Sequence, residues 1–544
     1  MGENMKLLQN KRNIAFCAVS LFIFLISTYS PVAAAVDYYP TKGWKVTAPE
    51  AQGIQSKSLL AMLENIQSNE YNIQSISIIR NGYLVMDSYV HPFADSQKHE
   101  MFSTTKSIIS ALIGIAIDKG YIKDVNQTLA ELFPNRKISN LDGLKQTITL
   151  KDLLMMASGL NCNDGWEKNW AGLFEMMKSN DWVQYTLDLP MEKTPGEWFD
   201  YCNGVSHLLS AAISESTGMK TIEFAKKNLF DPLGIVDIQW NTDPGKTNIG
   251  FSKMWLQPKD MAKFGLLYLN KGKWEDKQII SAEWIEASTR PYLDGRLGGS
   301  QYGYHWWVNP AGYYAALGMY GQTIFVVPEK NLVAVFTGTI EGENMFVSGK
   351  LLIEYIIPAS VSEKPISSDQ EATARLNKLI ETLAQAPSTG SIWMTENEGV
   401  AKDGLFKRTA IPSFTVEYPL GSTKAETSSP AQVMRMRTPE NVTFDAAVVQ
   451  IPEGMQLADF GAQYYTAGLA NVGSNIEVVS NKEITLKCGT KAYRTDIKWL
   501  WNGSFPLNTV LVSAYKDGYC VYTATHPMQN PQNVAPIVQS LSFK

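Results

Sequence analysis

The chain has 544 residues, 45% of them hydrophobic and 19% charged, with 48 basic against 53 acidic side chains. That length exceeds one ordinary domain, and a high apolar fraction with a net charge of only −5 excludes disorder over most of it. A nucleic-acid binder would carry a clustered basic excess, and none exists here.

In chain order, Lys6, Lys11 and Arg12 precede an apolar run from Ile14 to Ile26, followed by Ala33-Ala34-Ala35. This predicts a cleaved signal peptide over residues 1–35 and a secreted or periplasmic product with no stable membrane span. The competing reading, an uncleaved anchor, suits the run poorly because it is short for a bilayer. Loss of Cys17 with the signal leaves Cys162, Cys202, Cys488 and Cys520 in an oxidising compartment. Proximity pairs 162 with 202 and 488 with 520, and the plain alternative is four free thiols. The first bridge would hold Tyr201 and Asn203, which flank Cys202.

Residues 36–360 read as an α+β domain. Two strand-like runs, 75–80 and 83–89, flank Asn81-Gly82, a hairpin signal. Helical patterns follow at 104–119, 150–157, 205–217, 221–230 and 258–271, and strand-like runs return at 323–327 and 332–337. Strands at both ends of the segment with helices between them predict a sheet closed by sequence-distant strands. Residues 361–390 read as a linker with a polar connecting helix at 371–385. Residues 391–544 read as a smaller antiparallel domain rich in Val, Thr and Tyr.

The chemistry concentrates in Ser103-Thr-Thr-Lys106, at the start of an apolar helix. Three residues apart on a helix, the hydroxyl and amine share one face. A lysine buried among apolar neighbours has its pKa lowered and can take the serine proton, while the helix N-terminus favours an oxyanion. The spacing alone is weak: Ser513-Ala-Tyr-Lys516 repeats it in a strand-like run, and an isolated match is more simply a helix cap beside an exposed lysine. Tyr201-Cys-Asn203 offers a phenol for proton relay and an amide for Lys106 or a substrate carbonyl. Tyr268-Leu-Asn270 has the same spacing in a helical pattern, where packing explains it. Further on, Gly318-Met319-Tyr320-Gly321-Gln322 leads into a strand whose edge permits close backbone approach to a ligand.

Order and surroundings raise the specificity. Phe102-Ser-Thr-Thr-Lys106, Leu153-Leu-Met-Met-Ala-Ser-Gly-Leu160, Pro195-Gly196 before Tyr201-Cys-Asn203, Asp231-Pro-Leu-Gly234 and Val327-Pro-Glu-Lys330 resemble, in sequence order, the serine hydrolases of the penicillin-binding, class C β-lactamase-related family. The resemblance implies a β-lactamase/transpeptidase-like fold, an antiparallel sheet flanked by helices with a mostly helical subdomain. It makes Ser103 the acylated nucleophile, Lys106 and Tyr201 the acid/base pair, and Asn203 a positioning residue. The backbone N–H groups of Ser103 and Met319 become the oxyanion hole, with no metal or cofactor. The family's β-lactamases and carboxypeptidases carry Lys-Thr-Gly at the third motif to bind a substrate carboxylate. This chain has Ala316-Leu317-Gly318 there, and its Gly318-Met-Tyr-Gly-Gln322 more closely resembles the esterase and 6-aminohexanoate-dimer hydrolase branch. The expectation is an ester or amide hydrolase for small, largely uncharged acyl substrates. The alternatives are D-alanyl-D-alanine carboxypeptidase or β-lactamase-like activity, or a catalytically silent binding protein.

Pocket candidates are Trp166, Trp170, Trp198, Gly318, Tyr320 and Gln322, with Trp182 in the same overhanging segment. His207 reads as structural, and His305 adjoins a Trp pair of no specific role. The C-terminal domain weakly resembles the PsbP-like α/β sandwich, through residues 414–419, 519–525 and 537–543. It carries no acid/base constellation and implies an accessory role with an unknown partner.

Overall fold

The structure is a computed structural model. It describes residues 38–385 apart from Glu70, Pro92, Asp142, Trp166, Glu167 and Glu341, and, with breaks, residues 393–543. The expected signal peptide and Trp166 lie outside the described residues.

The N-terminal body is organised by one sheet. After α1 (Ser56–Ser68), β1 (Ile73–Arg80) and β2 (Tyr83–Tyr89) form the hairpin around Asn81-Gly82, both residues at positive φ as such a turn requires. The helical part follows with α2 (Thr105–Asp118), α3 (Leu150–Leu154), α4 (Asn203–Thr217) and α5 (Pro258–Leu269). The chain then re-enters the sheet as β3 (Leu293–Leu297), β4 (Ser300–Tyr302), β5 (Trp307–Asn309), β6 (Tyr313–Gly318), β7 (Gln322–Val327) and β8 (Leu332–Gly338). The strand order is β2-β1-β8-β7-β6-β5-β4-β3, with antiparallel registers throughout. The closure by distant strands is realised where Ile76 faces Phe336 and Ile78 faces Ala334.

Every residue of β7 and β8 is buried, because both faces of the sheet are covered. α5 packs on β1, β7 and β8 from one side. On the other, Leu59, Met62 and Leu63 of α1 meet Ile76, Ile78, Phe325, Phe336 and Leu352. α6 (Gln370–Ala384) joins this face through Leu376, with Leu379, Ile380 and Leu383 behind it, so the polar connecting helix is also a covering element of the body.

α3 stops at Leu154, short of the expected 157. Met156 adopts φ +57, and its carbonyl accepts from the Asp200 N–H, which turns the chain toward the Tyr201 segment. α2 is buried from Thr105 to Ala116, the pattern of a helix enclosed on all sides.

The C-terminal region is antiparallel. Thr423–Lys424, β9 (Gln432–Arg437), β10 (Thr443–Val449), β11 (Gly473–Thr485), β12 (Lys491–Trp501), β13 (Phe505–Lys516) and β14 (Tyr519–His526) form one sheet in which β14 lies between β10 and β13. Met434, Phe444, Val510 and Val521 pack against Phe406 and Phe414 of a smaller sheet. Phe460, from a helical segment, covers Leu511 and Ala524 elsewhere in the region.

The cysteines divide. Cys162 and Cys202 form the expected disulfide, whereas Cys488 and Cys520 are free thiols, correcting that pairing. Ala492, Ala514 and Val521 occupy one row across β12, β13 and β14, so the β14 position beside Cys520 lies two strand spacings, about 10 Å, from β12. Cys488 sits further out still, in the turn before β12, and a disulfide spans only about 7 Å between Cα atoms. Cys520 is buried with Phe460, and Cys488 is exposed.

Candidate active site

Ser103 lies in a 3-10 turn, Phe102–Thr104, immediately before α2. Phe102 is at φ +45, and Thr104 Oγ1 donates to the Met101 carbonyl at 2.5 Å, locking the turn. A side chain at Gly318 would put its Cβ 2.5 Å from that same carbonyl, so only glycine lets the end of β6 approach the Ser103 turn. One helical turn into the chain from Ser103, Lys106 is 2% exposed. Its Nζ donates to Ser103 Oγ at 3.0 Å, to Asn203 Oδ1 at 2.8 Å and to the Phe251 carbonyl at 3.2 Å. Tyr201, just ahead of α4, donates its phenol to Ser103 Oγ at 2.9 Å, and Lys106 Nζ lies 4.8 Å from the Tyr201 ring centroid. Segments almost a hundred residues apart thus converge on one hydroxyl.

Burial shapes the electrostatics. It pushes the Lys106 amine down to about 7, against the Asp164 carboxylate, which favours the ammonium. It pushes the Tyr201 phenol well up, so that group rests protonated as a donor. His305 Nδ1 lies 2.9 Å from the Leu154 carbonyl, an acceptor only, so Nδ1 carries the hydrogen and Nε2 accepts from Ser206. Burial and then the Lys106 charge hold His305 near 3, a neutral ring that braces the site from behind. His207 is likewise structural: Gly250 N–H donates to its Nδ1, leaving Nε2–H to donate to buried Asp243.

A cleft of about 250 Å³ opens over Ser103, lined by Trp170, Phe199, Trp307, Leu297, Leu317, Gly318 and Met319 among others. Trp170 is set edge-on to Tyr201, with ring centroids 6.0 Å apart. Other expected pocket residues lie elsewhere. Trp198 is 53% exposed and turned away while its neighbour Phe199 lines the wall. Tyr320 stacks edge-on against Phe102 beneath the Arg437 guanidinium, 4.9 Å from the ring centroid, rather than facing the cleft. Gln322 is buried and donates to the Gly338 carbonyl at 2.6 Å, which ties β7 to β8. Trp182 belongs to a small core with Met176, Ile249 and Phe251. Trp306 and Tyr268 pack together in the interior, as the spacing Tyr268-Leu-Asn270 warranted.

Sequence reasoning missed Asp164, which is 5% exposed and hydrogen-bonds Asn203 directly. The one available signal was the 162–202 bridge, which brings the residues after both cysteines together.

A family model described as Beta-lactamase matches residues 69–352. The chain belongs to the beta-lactamase family. It is a serine hydrolase of the beta-lactamase fold. It is 24% identical over 283 residues to the 6-aminohexanoate-dimer hydrolase of Paenarthrobacter ureafaciens, an alignment covering 47% of this chain and 70% of that one. A Bacillus anthracis protein proposed to be a 6-aminohexanoate-dimer hydrolase aligns with TM-score 0.48 at 22% identity, over 60% of this chain and 89% of its own. A family VIII carboxylesterase aligns with TM-score 0.47 at 15% identity, over 57% and 98%. Within this beta-lactamase fold, Ser103 lines the cleft together with Leu317, Gly318 and Met319 at the end of β6.

Proposed function

We propose that this beta-lactamase-family protein is an exported hydrolase that cleaves an ester or amide bond of a small, largely uncharged acyl substrate through a covalent intermediate on Ser103. The observation that carries the reading is the convergence of Lys106 Nζ and Tyr201 OH on Ser103 Oγ, at 3.0 and 2.9 Å, beneath a mainly aromatic and aliphatic cleft.

With Lys106 neutral, its amine accepts the Ser103 proton as Oγ attacks the acyl carbon. The carbonyl oxygen becomes an oxyanion beside the backbone N–H groups of Ser103 and Met319, and its collapse breaks the bond to the leaving group. Tyr201 gives its phenol proton to the departing alkoxide or amine, and the Lys106 ammonium returns a proton to the phenolate. Water repeats the cycle on the acyl-enzyme, releasing the acid and restoring Ser103. The base must be unprotonated and its amine sits near 7, so kcat/KM for an aryl ester rises as pH is raised through about 7. Initial rates across pH check this, and a profile flat through that region contradicts it. Labelling by a fluorophosphonate probe, lost in Ser103→Ala, tests the covalent step; absence of any Ser103-dependent labelling would favour a silent binding protein.

Leu317 and Gly318 offer no cation for a substrate carboxylate at the third motif, and Lys168 at the cleft is engaged by Asp200 at 3.6 Å. The amide-cleaving relative supports an amide as readily as an ester. One observation favours a second reading, carboxypeptidase or β-lactamase-like activity: Arg296 lines the cleft at φ +58 and brings a guanidinium suited to a carboxylate. Rapid turnover of a chromogenic cephalosporin, or release of D-Ala from a model peptide, with inert aryl esters selects that reading.

A further inference from the structure

Asp164 is a buried carboxylate that the proton transfers above do not use. Its Oδ2 accepts from the Asn203 backbone N–H at 2.8 Å and from Asn203 Nδ2 at 2.9 Å, and its Oδ1 accepts from the Gly165 N–H at 2.9 Å. An amide side chain has two ends, and either can face a neighbour. An ionised carboxylate accepts only, so Asp164 draws the NH2 end of Asn203 toward itself and leaves the carbonyl end pointing at Lys106, 2.8 Å away. Freed of that carboxylate, the amide can turn its NH2 toward the lysine, and Lys106 loses both an acceptor and a nearby negative charge. The Cys162–Cys202 bridge places the pair: Asp164 follows one cysteine by two residues and Asn203 follows the other directly.

We propose that Asp164 is a positioning residue for the acyl-transfer reaction, fixing the orientation of the Asn203 amide and through it the placement and charge state of the Lys106 amine. This rests on the reading of Ser103 and Lys106 as nucleophile and base. The other charged or titratable groups around the pair are accounted for: Tyr201 rests as a phenol, His305 is neutral, and Asp200 is paired with Lys168 and Lys193. Burial pushes the Asp164 carboxyl up to about 6, so it is ionised where the lysine begins to lose its proton.

The test is Asp164→Asn in the full chain, with kcat, KM and the pH dependence of kcat/KM measured on an aryl ester. The expected result is a kcat loss of roughly 10- to 100-fold, the range of one hydrogen bond to a charged group, with little change in KM. The acidic limb moves to lower pH, because removing a negative charge near Lys106 disfavours its ammonium. Asn203→Ala moves the limb the same way, and the double variant is no worse than the poorer single one, since both act through one chain of contacts. A rise in KM with kcat and the limb unmoved makes Asp164 a substrate ligand and overturns the proposal. So does a kcat loss that tracks a fall in Tm while the limb stays put. If Asp164→Asn does not fold, the pH dependence of fluorophosphonate labelling of Asn203→Ala decides: an unmoved limb overturns the proposal. Full activity in Ser103→Ala would instead remove the underlying reading, so the two failures are distinguishable.

Discussion

The catalytic body and the C-terminal sheets use similar strands but treat strain and buried charge differently. In the body, Trp170 and Arg296 of the cleft lining hold positive φ, as do Phe102, Met156, His305 and Tyr320, and Lys246, Lys271 and Glu275 in turns that do not line the cleft. Such conformations cost of order 1–3 kcal/mol each for side-chain-bearing residues and persist only where the surroundings over-determine them. Among the described residues of the C-terminal region, the non-glycine positions with positive φ are Asn475, at a break in strand register, and Asp517, in a hairpin turn. Both are residue types that tolerate the left-handed region. The buried C-terminal carboxylate, Asp445, is paired directly with Arg435 and His526. In the body, Lys106 and Asp164 are linked through the Asn203 amide instead, which leaves the amine free to give up its proton. The indirect Lys106–Asp164 linkage sets the cleft apart, since elsewhere in the body His207 pairs directly with Asp243 and Lys263 with Asp260.

The largest effect that sharpens this contrast is Ser103→Ala, expected to lower kcat by roughly 10⁴-fold or more with the fold intact. Circular dichroism alongside turnover checks it, and a small loss would move the chemistry elsewhere. Next is the Cys162→Ser/Cys202→Ser pair. A bridge across a sequence separation of 40 contributes about 4 kcal/mol on the chain-entropy model, so the double variant unfolds at a clearly lower Tm. An unchanged Tm breaks the idea that the bridge holds the Tyr201 segment.

Arg437 is one place where the C-terminal region reaches the catalytic body, over the ring of Tyr320 beside Met319. A surface cation–π contact is worth about 0.5–1 kcal/mol, so Arg437→Ala should lower kcat/KM by no more than about fivefold. A loss as large as that of Ser103→Ala would show that the two regions form one catalytic unit. The smallest effect concerns the free thiols. Burial pushes the Cys488 thiol up, but hydrogen bonds involving Thr490 and the Phe543 backbone outweigh it and leave it near 7. Cys488 should therefore react with a thiol reagent in the native protein without loss of activity, and Cys520 only after unfolding. Prompt labelling at Cys520 would mean that the C-terminal core opens readily.

Much of this was legible beforehand because it is local. A period of 3.6 residues placed α2, α4 and α5, the Asn81-Gly82 turn placed the β1–β2 hairpin, and the spacing of Ser103 and Lys106 put both on one side of a helical turn. The same spacing at Ser513 and Lys516 falls on β13, where residues three apart face opposite sides of the sheet; Ser513 is buried and Lys516 lies near Asp517. Secondary structure, rather than the residue pattern, separates the two.

The sequence by itself determined the hydrolase family, the order of the elements, the candidate trio Ser103, Lys106 and Tyr201 that the structure brings together, and one of the two expected disulfides. Only the tertiary structure decided that Asp164 backs Asn203, that Gln322 and Tyr320 serve the sheet and the Phe102–Thr104 turn rather than the cleft, and that Cys488 and Cys520 stay apart. The element order follows from periodicity within single segments, and the family and its trio from motifs that resemble those of known hydrolases in the same order. What the tertiary structure decided depends on which segments chain reversal brings together and on which way each side chain points once they pack, and no linear spacing encodes either.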